Sequence, residues 1–425
     1  MLNSVKAVAY RVPDLDRAKR WYGEILGTAP IFDSRIVVMF KVGEAVLSLA
    51  PAAETPPLND PQPLVYWDVD DIEAAHRRLL DAGATPRGDI MTTALKSKAA
   101  TVIDPFGNVI GIVSKPGAAS GKSLADQPSD SAMGVALFRA LATRDEREEI
   151  RGPDFLAEKF LPREYQAMLD NPAAREWIKG KAPGSYEFFL ARTAFFDGVV
   201  CEALRENVPQ IVLLGAGYDS RPYRFQDLLR DTRVFELDIA STQQRKRELL
   251  ERAGVAIPPP VTFVPVDFAR DDLRDVLAQA GFDPNQRTLF VWEGVMYYLT
   301  AEAVDETLAF IRCCSPAGSV LCFDYLADAP DMLSRHGVAE SRALMRDTYH
   351  AEPVQFRIAE GMIEAFLAER GYSILEHLAT CDLEKQYLTL RSGELAGKAL
   401  ACCALVKAVA GGRQNRNFAP AEAQA

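Results

Sequence analysis

The sequence predicts an α/β fold in two unlike units: a doubly wound sheet over residues 131–410, preceded by an α+β unit over residues 1–116. Three observations predict it. Residues 117–130 (Gly-Ala-Ala-Ser-Gly-Lys-Ser-Leu-Ala-Asp-Gln-Pro-Ser-Asp) are small and polar, so they build no core and read as a linker. Residues 1–116 carry an internal repeat, and residues 210–325 alternate apolar runs with helical stretches. Charge divides in the same way: the formal net charge of −11 is −1 over residues 1–116 and −10 beyond them. From Gly411 to Ala425 the chain again lacks core formers and reads as a disordered tail.

The composition excludes several classes. An acidic balance argues against a broad nucleic-acid or anionic-membrane surface. No apolar run approaches the roughly 18–20 residues of a membrane helix, and the N-terminus lacks a signal-peptide profile. Seven cysteines, two pairs of them adjacent (Cys313-Cys314, Cys402-Cys403), include no Cys-x-x-Cys. With four histidines there is no zinc-finger spacing, so reduced thiols and a cytoplasmic setting are expected.

In the first unit an offset of 57 pairs Val12 with Val69, Asp14 with Asp71, Leu15 with Ile72 and Ala18 with Ala75. One slip later Gly27 meets Gly83 and Pro30 meets Pro86. Each Asp stands where it can cap the helix that follows, to Leu26 and to Leu80. Strand-like runs sit at 8–12, 36–40 and 45–49, then at 65–69, 98–103 and 109–113, giving two βαβββ modules. The unit resembles the glyoxalase/bleomycin-resistance (vicinal oxygen chelate) family. The match rests on Val12-Pro13-Asp14-Leu15-Asp16-Arg17-Ala18, Trp21-Tyr22 with Leu26-Gly27, and Asp104-Pro105-Phe106-Gly107-Asn108-Val109-Ile110.

That resemblance implies paired modules around a ligand cup, often dimeric, with a divalent metal on His and Glu. The ligands are missing here: Ala7 and Leu64 stand where His is usual, Ser48 and Gly111 where Glu is usual, and His76 lies mid-helix. A metal-free module for dimerisation or for small-molecule binding is expected, and a metal-dependent glyoxalase or dioxygenase is rejected.

The second unit places Gln210-Ile211-Val212-Leu213-Leu214 directly before Gly215-Ala216-Gly217-Tyr218-Asp219-Ser220, as a buried parallel strand running into a ligand-approaching turn. The next strand, 234–238, ends in Asp238, 21 residues past Gly217, near the Rossmann interval for a carboxylate on a ribose diol. Strands at 262–266, 288–292 and 319–323 end in Asp267-Phe268, Glu293 and Asp324-Tyr325, with helical stretches at 240–253, 271–280 and 301–314. Ser220 replaces the third glycine of a dinucleotide fingerprint, and no phosphate-cradling loop occurs. A cationic cofactor with ribose and adenine but no phosphate suits these acids, namely S-adenosyl-L-methionine.

Residues 131–325 resemble the leucine carboxyl methyltransferase family and its bacterial small-molecule O-methyltransferase branch. Arg192-Thr193-Ala194-Phe195-Phe196-Asp197, Gly215 to Arg224, Phe235-Glu236-Leu237-Asp238, Val264 to Phe268 and Trp292-Glu293-Gly294-Val295-Met296-Tyr297-Tyr298-Leu299 carry the likeness. It implies a class I (Rossmann-like) methyltransferase sheet. It also implies that Arg192 holds the cofactor carboxylate, Gly215 and Gly217 admit the methionine portion, and Asp238 accepts both ribose hydroxyls. Asp267 and the Phe268 amide would read adenine, Glu293 would face the cofactor, and Lys159 would be a second carboxylate contact.

No catalytic residue is assigned. Tyr297, Tyr298, His336 and His350 are candidates for the acceptor pocket, and a helical run over 133–205 is expected to cap it. The fourth-strand loop is Trp-Glu-Gly, not the Asp/Asn-Pro-Pro-Tyr type that handles nitrogen, so oxygen is the expected acceptor atom. The primary reading is an O-methyltransferase of secondary metabolism acting on a carboxylate or hydroxyl. The alternative is a sequestering protein whose first unit captures a drug-like ligand.

Overall fold

The computed structural model describes residues 7–33, 37–42, 45–51, 65–69, 71–92, 98–114, 129–268, 270–348 and 352–411. His350, Leu64, most of 117–130 and the 412–425 tail lie outside them. The chain divides into two compact units, residues 1–119 and 120–425.

The first unit repeats one plan. Strands β1 (Ala7–Val12), β2 (Phe32–Asp33), β3 (Val38–Val42) and β4 (Ala45–Pro51) form one sheet in the order β1-β4-β3-β2. Strands β5 (Val65–Val69), β6 (Thr85–Pro86), β7 (Met91–Thr92), β8 (Lys98–Ile103) and β9 (Val109–Ser114) form the second, in the order β5-β9-β8-β6 with β7 also on β8. Helices Leu15–Leu26 and Ile72–Asp81 follow the first strand of each sheet. Asp14 accepts the Arg17 amide and Asp71 the Ala74 amide, so both capping expectations hold.

One shared core joins Val12, Tyr22 and Phe40 from the first module with Leu79, Val102 and Ile112 from the second. Tyr22 donates its hydroxyl to Asp104 Oδ2 at 2.6 Å, and the Trp21 indole donates to the Ala82 carbonyl at 2.7 Å. A Cβ on Gly111 would sit 2.7 Å from the Tyr66 ring, so that strand position has no room for a side chain.

The second unit is a mixed sheet with helices on both faces. Its strands are β10 (Gln210–Leu214), β11 (Arg233–Asp238), β12 (Val261–Pro265), β13 (Thr288–Trp292), β14 (Val320–Asp328), β15 (Ile358–Ala359), β16 (Tyr372–Leu378) and β17 (Cys403–Ala410). The order is β12-β11-β10-β13-β14-β17-β16, with β15 beside β14. The five central strands are parallel, while β17 runs antiparallel to both neighbours. β10 and β13 are fully buried, as strands covered on both faces must be.

The sheet goes on past the five strands read from the sequence, since β16 and β17 extend it beyond β14. One expectation is corrected. The region 133–205 is not one helical run. It is Asp130–Ala142, Arg163–Leu169, Pro172–Lys181 and Ser185–Arg205, with single turns at Glu148–Ile150 and Ala157–Phe160. Pro153, Pro162, Pro172 and Pro183 interrupt it, since proline removes a donor and clashes with a continuing helix.

Candidate functional site

The strand order reverses between β10 and β13, where open α/β sheets leave a crevice at the carboxyl ends of their strands. A cavity of about 460 Å³ occupies that place. It brings together Arg192, Gly215, Gly217, Asp238, Asp267, Phe268, Glu293, Tyr297 and Tyr298.

The turn after β10 is shaped by its glycines. Gly215 (φ 72°) and Gly217 (φ 43°) adopt left-handed backbone, and a Cβ on Gly215 would meet Val295 Cγ2 at 2.3 Å. The turn is stitched to the end of β11. The Ala216 amide donates to the Leu237 carbonyl at 2.7 Å, and the Gly217 amide to Asp238 Oδ2 at 2.6 Å. The Ile239 amide donates to Asp238 Oδ1 at 2.8 Å. Each oxygen retains a second acceptor position beside the cavity. Burial pushes the Asp238 carboxyl up to about 6, against the pull of the two amides.

Arg192, on the helix Ser185–Arg205, is buried rather than a surface charge. Its Nη1 donates to Asp324 Oδ2 at 2.8 Å. Nε lies 3.0 Å from Glu293 Oε1 but is not aligned for a hydrogen bond, which leaves that N–H unsatisfied. Burial opposes the guanidinium charge, but Asp324 and Glu293 outweigh it and raise the Arg192 pKa. Glu293 is bridged from its other oxygen by Arg221 Nη1 at 2.7 Å. Arg221 in turn holds Asp219 and Asp197, each at 2.7 Å. The Gly294 amide donates to Asp324 Oδ1 at 2.6 Å, locking the turn after β13. Alternating arginines and acids thus fix the floor of the cavity, since each buried charge has an opposite partner.

Asp267 stands at the rim, 30% exposed, with Arg270 Nε at 3.6 Å. Its own amide donates to Asp271 Oδ2 at 2.8 Å, and Phe268 beside it is half-buried. Tyr297 and Tyr298 follow β13 in the single turn Met296–Tyr298. Burial, then Asp324, hold the Tyr297 hydroxyl well above the usual phenol range, so it acts as a donor and not as a base. Two candidates fall away from the cavity: His336 is exposed and does not line it, and Lys159 is exposed on its own turn. His350 lies outside the described residues.

Sequence reasoning missed Ser129, Ser131, Arg139 and Glu352, all of which line the cavity. The Ser131 hydroxyl donates to Glu352 Oε2, and the Ser129 hydroxyl to the same oxygen at 3.3 Å. Arg139 Nη2 donates to the Tyr218 carbonyl at 2.6 Å. The serines and Glu352 are more than 200 positions apart, and no local motif marks such a pairing.

The chain was compared with known proteins. A family model described as leucine carboxyl methyltransferase matches residues 132–312, and one described as the glyoxalase/bleomycin resistance protein/dioxygenase superfamily matches residues 4–112. Three bacterial relatives are named, provisionally, as S-adenosyl-L-methionine-dependent methyltransferases. The one from Bacillus subtilis is 31% identical over 49% of this chain and 68% of its own length. That from Streptomyces avermitilis is 36% identical over 45% and 68%, and that from Frankia alni 36% over 44% and 65%. The chain thus spans about two thirds of the length of the relatives it matches.

Proposed function

This chain belongs to the family of S-adenosyl-L-methionine-dependent methyltransferases that those relatives represent, and we propose that it methylates an oxygen, carboxylate or hydroxyl, of a small metabolite. The observation that carries the reading is the convergence of Asp238, Asp267 and the Arg192–Glu293 pair around the Gly215–Gly217 turn.

The residues fit that cofactor. Asp238 has acceptor capacity for a pair of ribose hydroxyls, and Asp267 has it for an amino group. Gly215 lets the turn pack directly against Val295, where any side chain would collide. Arg192 lines the cavity and is the residue we assign to the cofactor's carboxylate, although Asp324 and Glu293 already balance its charge. When bound, the cofactor supplies a methyl group on a sulfonium. The protein's contribution is alignment and exclusion of water, and proximity of this kind is worth roughly 7–11 kcal/mol. A carboxylate acceptor is ionised at neutral pH and has no proton to lose, which suits a cavity whose buried tyrosine stays protonated.

We assign the first unit to dimerisation or ligand binding and give it no catalytic part. Ile31, Phe32, Tyr66 and Met91 support this, as large apolar side chains exposed on a small unit. Titration calorimetry of the full-length protein with S-adenosylhomocysteine tests the main reading. Micromolar binding is expected, and its absence ends the proposal.

A further inference from the structure

The adjacent pair Cys402-Cys403 has no part in the site described above. It stands at the start of β17, and both thiols are free. Cys402 lines a second cavity, of about 300 Å³. Arg342, Arg346 and Arg357 line it too, against one carboxylate, Glu352. Arg342 and Arg346 are four apart on the helix Val338–Thr348 and so share a face, and Arg342 Nη2 is held by Asp328 Oδ1 at 2.9 Å. Leu326, Val338, Met345 and Val354 supply apolar wall. Cys402 is buried from bulk solvent, so the cavity is its route of approach. The Cys403 thiol beside it and the charges of Arg342 and Arg357 outweigh burial and bring the Cys402 thiol below its ordinary range. Burial, then Cys402 itself, push the Cys403 thiol well above that range, so Cys403 keeps its proton.

We propose that Cys402 is a thiol-modification site that takes one half of a small disulfide carrying a carboxylate, with Arg342 and Arg357 drawing the anion into the cavity. Reactive cysteines sit in electropositive surroundings with an open approach, and three arginines around a thiol-lined cavity make one. The guanidinium fork matches a carboxylate, and the apolar wall accommodates a short carbon chain between that carboxylate and the sulfur. The Cys402 sulfur, as thiolate, attacks one sulfur of the disulfide. A new S–S bond forms, the old one breaks, and the departing half leaves as a thiolate that takes a proton from water. Cys402 is thereby oxidised and the departing half reduced. Cys403 is poorly placed to displace the adduct, because consecutive Cα atoms stand about 3.8 Å apart, closer than the roughly 4.4–6.8 Å that a disulfide spans. The adduct therefore persists until an external thiol removes it. The inference goes beyond methyl transfer and does not depend on it.

Three dialkyl disulfides of similar size test it on the full-length protein: dithiodipropionate, hydroxyethyl disulfide and cystamine, which end in carboxylates, hydroxyls and ammonium groups. Mass spectrometry of the digested protein follows each cysteine separately. Exposed Cys381 gives the rate without a cavity, and Cys322, buried on β14, gives the rate through opening of the fold. Relative to Cys381, Cys402 should react fastest with dithiodipropionate and slowest with cystamine. The two should differ by roughly tenfold or more, the scale on which a charged cleft concentrates a counter-ion. Arg357→Gln should reduce that ratio severalfold, and Arg357→Lys, which keeps the charge, should retain most of it. Reaction of Cys402 no faster than that of Cys322 overturns the proposal, since the thiol is then closed to small molecules. The same charge preference at Cys402 as at Cys381, or one unchanged in R357Q, overturns it as well.

Discussion

Asp104 in the first unit, buried, and Asp238 in the second, half-buried, are both aspartates at the end of a strand, and they do opposite things. Asp104 accepts from the Phe106 amide, the Asn108 amide and side chain, and the Tyr22 hydroxyl, at 2.6–3.0 Å. Its acceptor capacity is spent on its own turn and on the facing helix. Asp238 accepts two backbone amides and borders a cavity with capacity to spare. A saturated acid is a fold element, whereas an unsaturated one beside open space is a ligand site.

The contrast can be broken by substitution. Asp238→Ala should weaken S-adenosylhomocysteine binding by about a hundredfold or more, the loss of two hydrogen bonds to a charged acceptor, as read by calorimetry. Asp104→Ala should leave that affinity within about twofold while costing the first unit roughly 2–4 kcal/mol, because buried donors lose their acceptor. Denaturant unfolding followed on the full chain checks it. Equal effects of the two changes on ligand affinity would erase the distinction.

A pH series sharpens the comparison. The folded carboxyl of Asp238 is raised from 3.8 to about 6, so the unliganded fold binds the extra proton between those values. Its stabilising contribution is therefore present at low pH and lost as pH rises through about 6. Binding of a diol needs the ionised form, so S-adenosylhomocysteine affinity should fall about tenfold per pH unit below 6. A flat affinity between pH 7 and pH 5 contradicts this. The smallest effect is at Tyr22→Phe, expected to cost about 1–2 kcal/mol of stability for one buried hydrogen bond and nothing in ligand affinity. Thermal unfolding and calorimetry on one sample separate the two readouts.

What was legible in the chain was local. The apolar runs within 210–214 and 288–292 are strands over those same residues, because a doubly covered strand is largely apolar. The repeat in residues 1–116 announced its two modules because each half reuses the same cap, helix and turn. β16 escaped notice because burial along it does not alternate regularly, and a bulge between Ile374 and Glu376 shifts its register. Glu352 escaped for a different reason. Its meaning comes from Ser129 and Ser131, brought to it by the fold and by nothing in its own neighbourhood.

The segment carrying Glu352 is also tied to the turn after β13. The amides of Gln355 and Phe356 both donate to the Tyr297 carbonyl, at 2.8 and 3.1 Å, and the Gln355 side chain donates to the Tyr298 carbonyl at 2.6 Å. The turn after β13 therefore sets where the Glu352 carboxylate stands at the edge of the cavity.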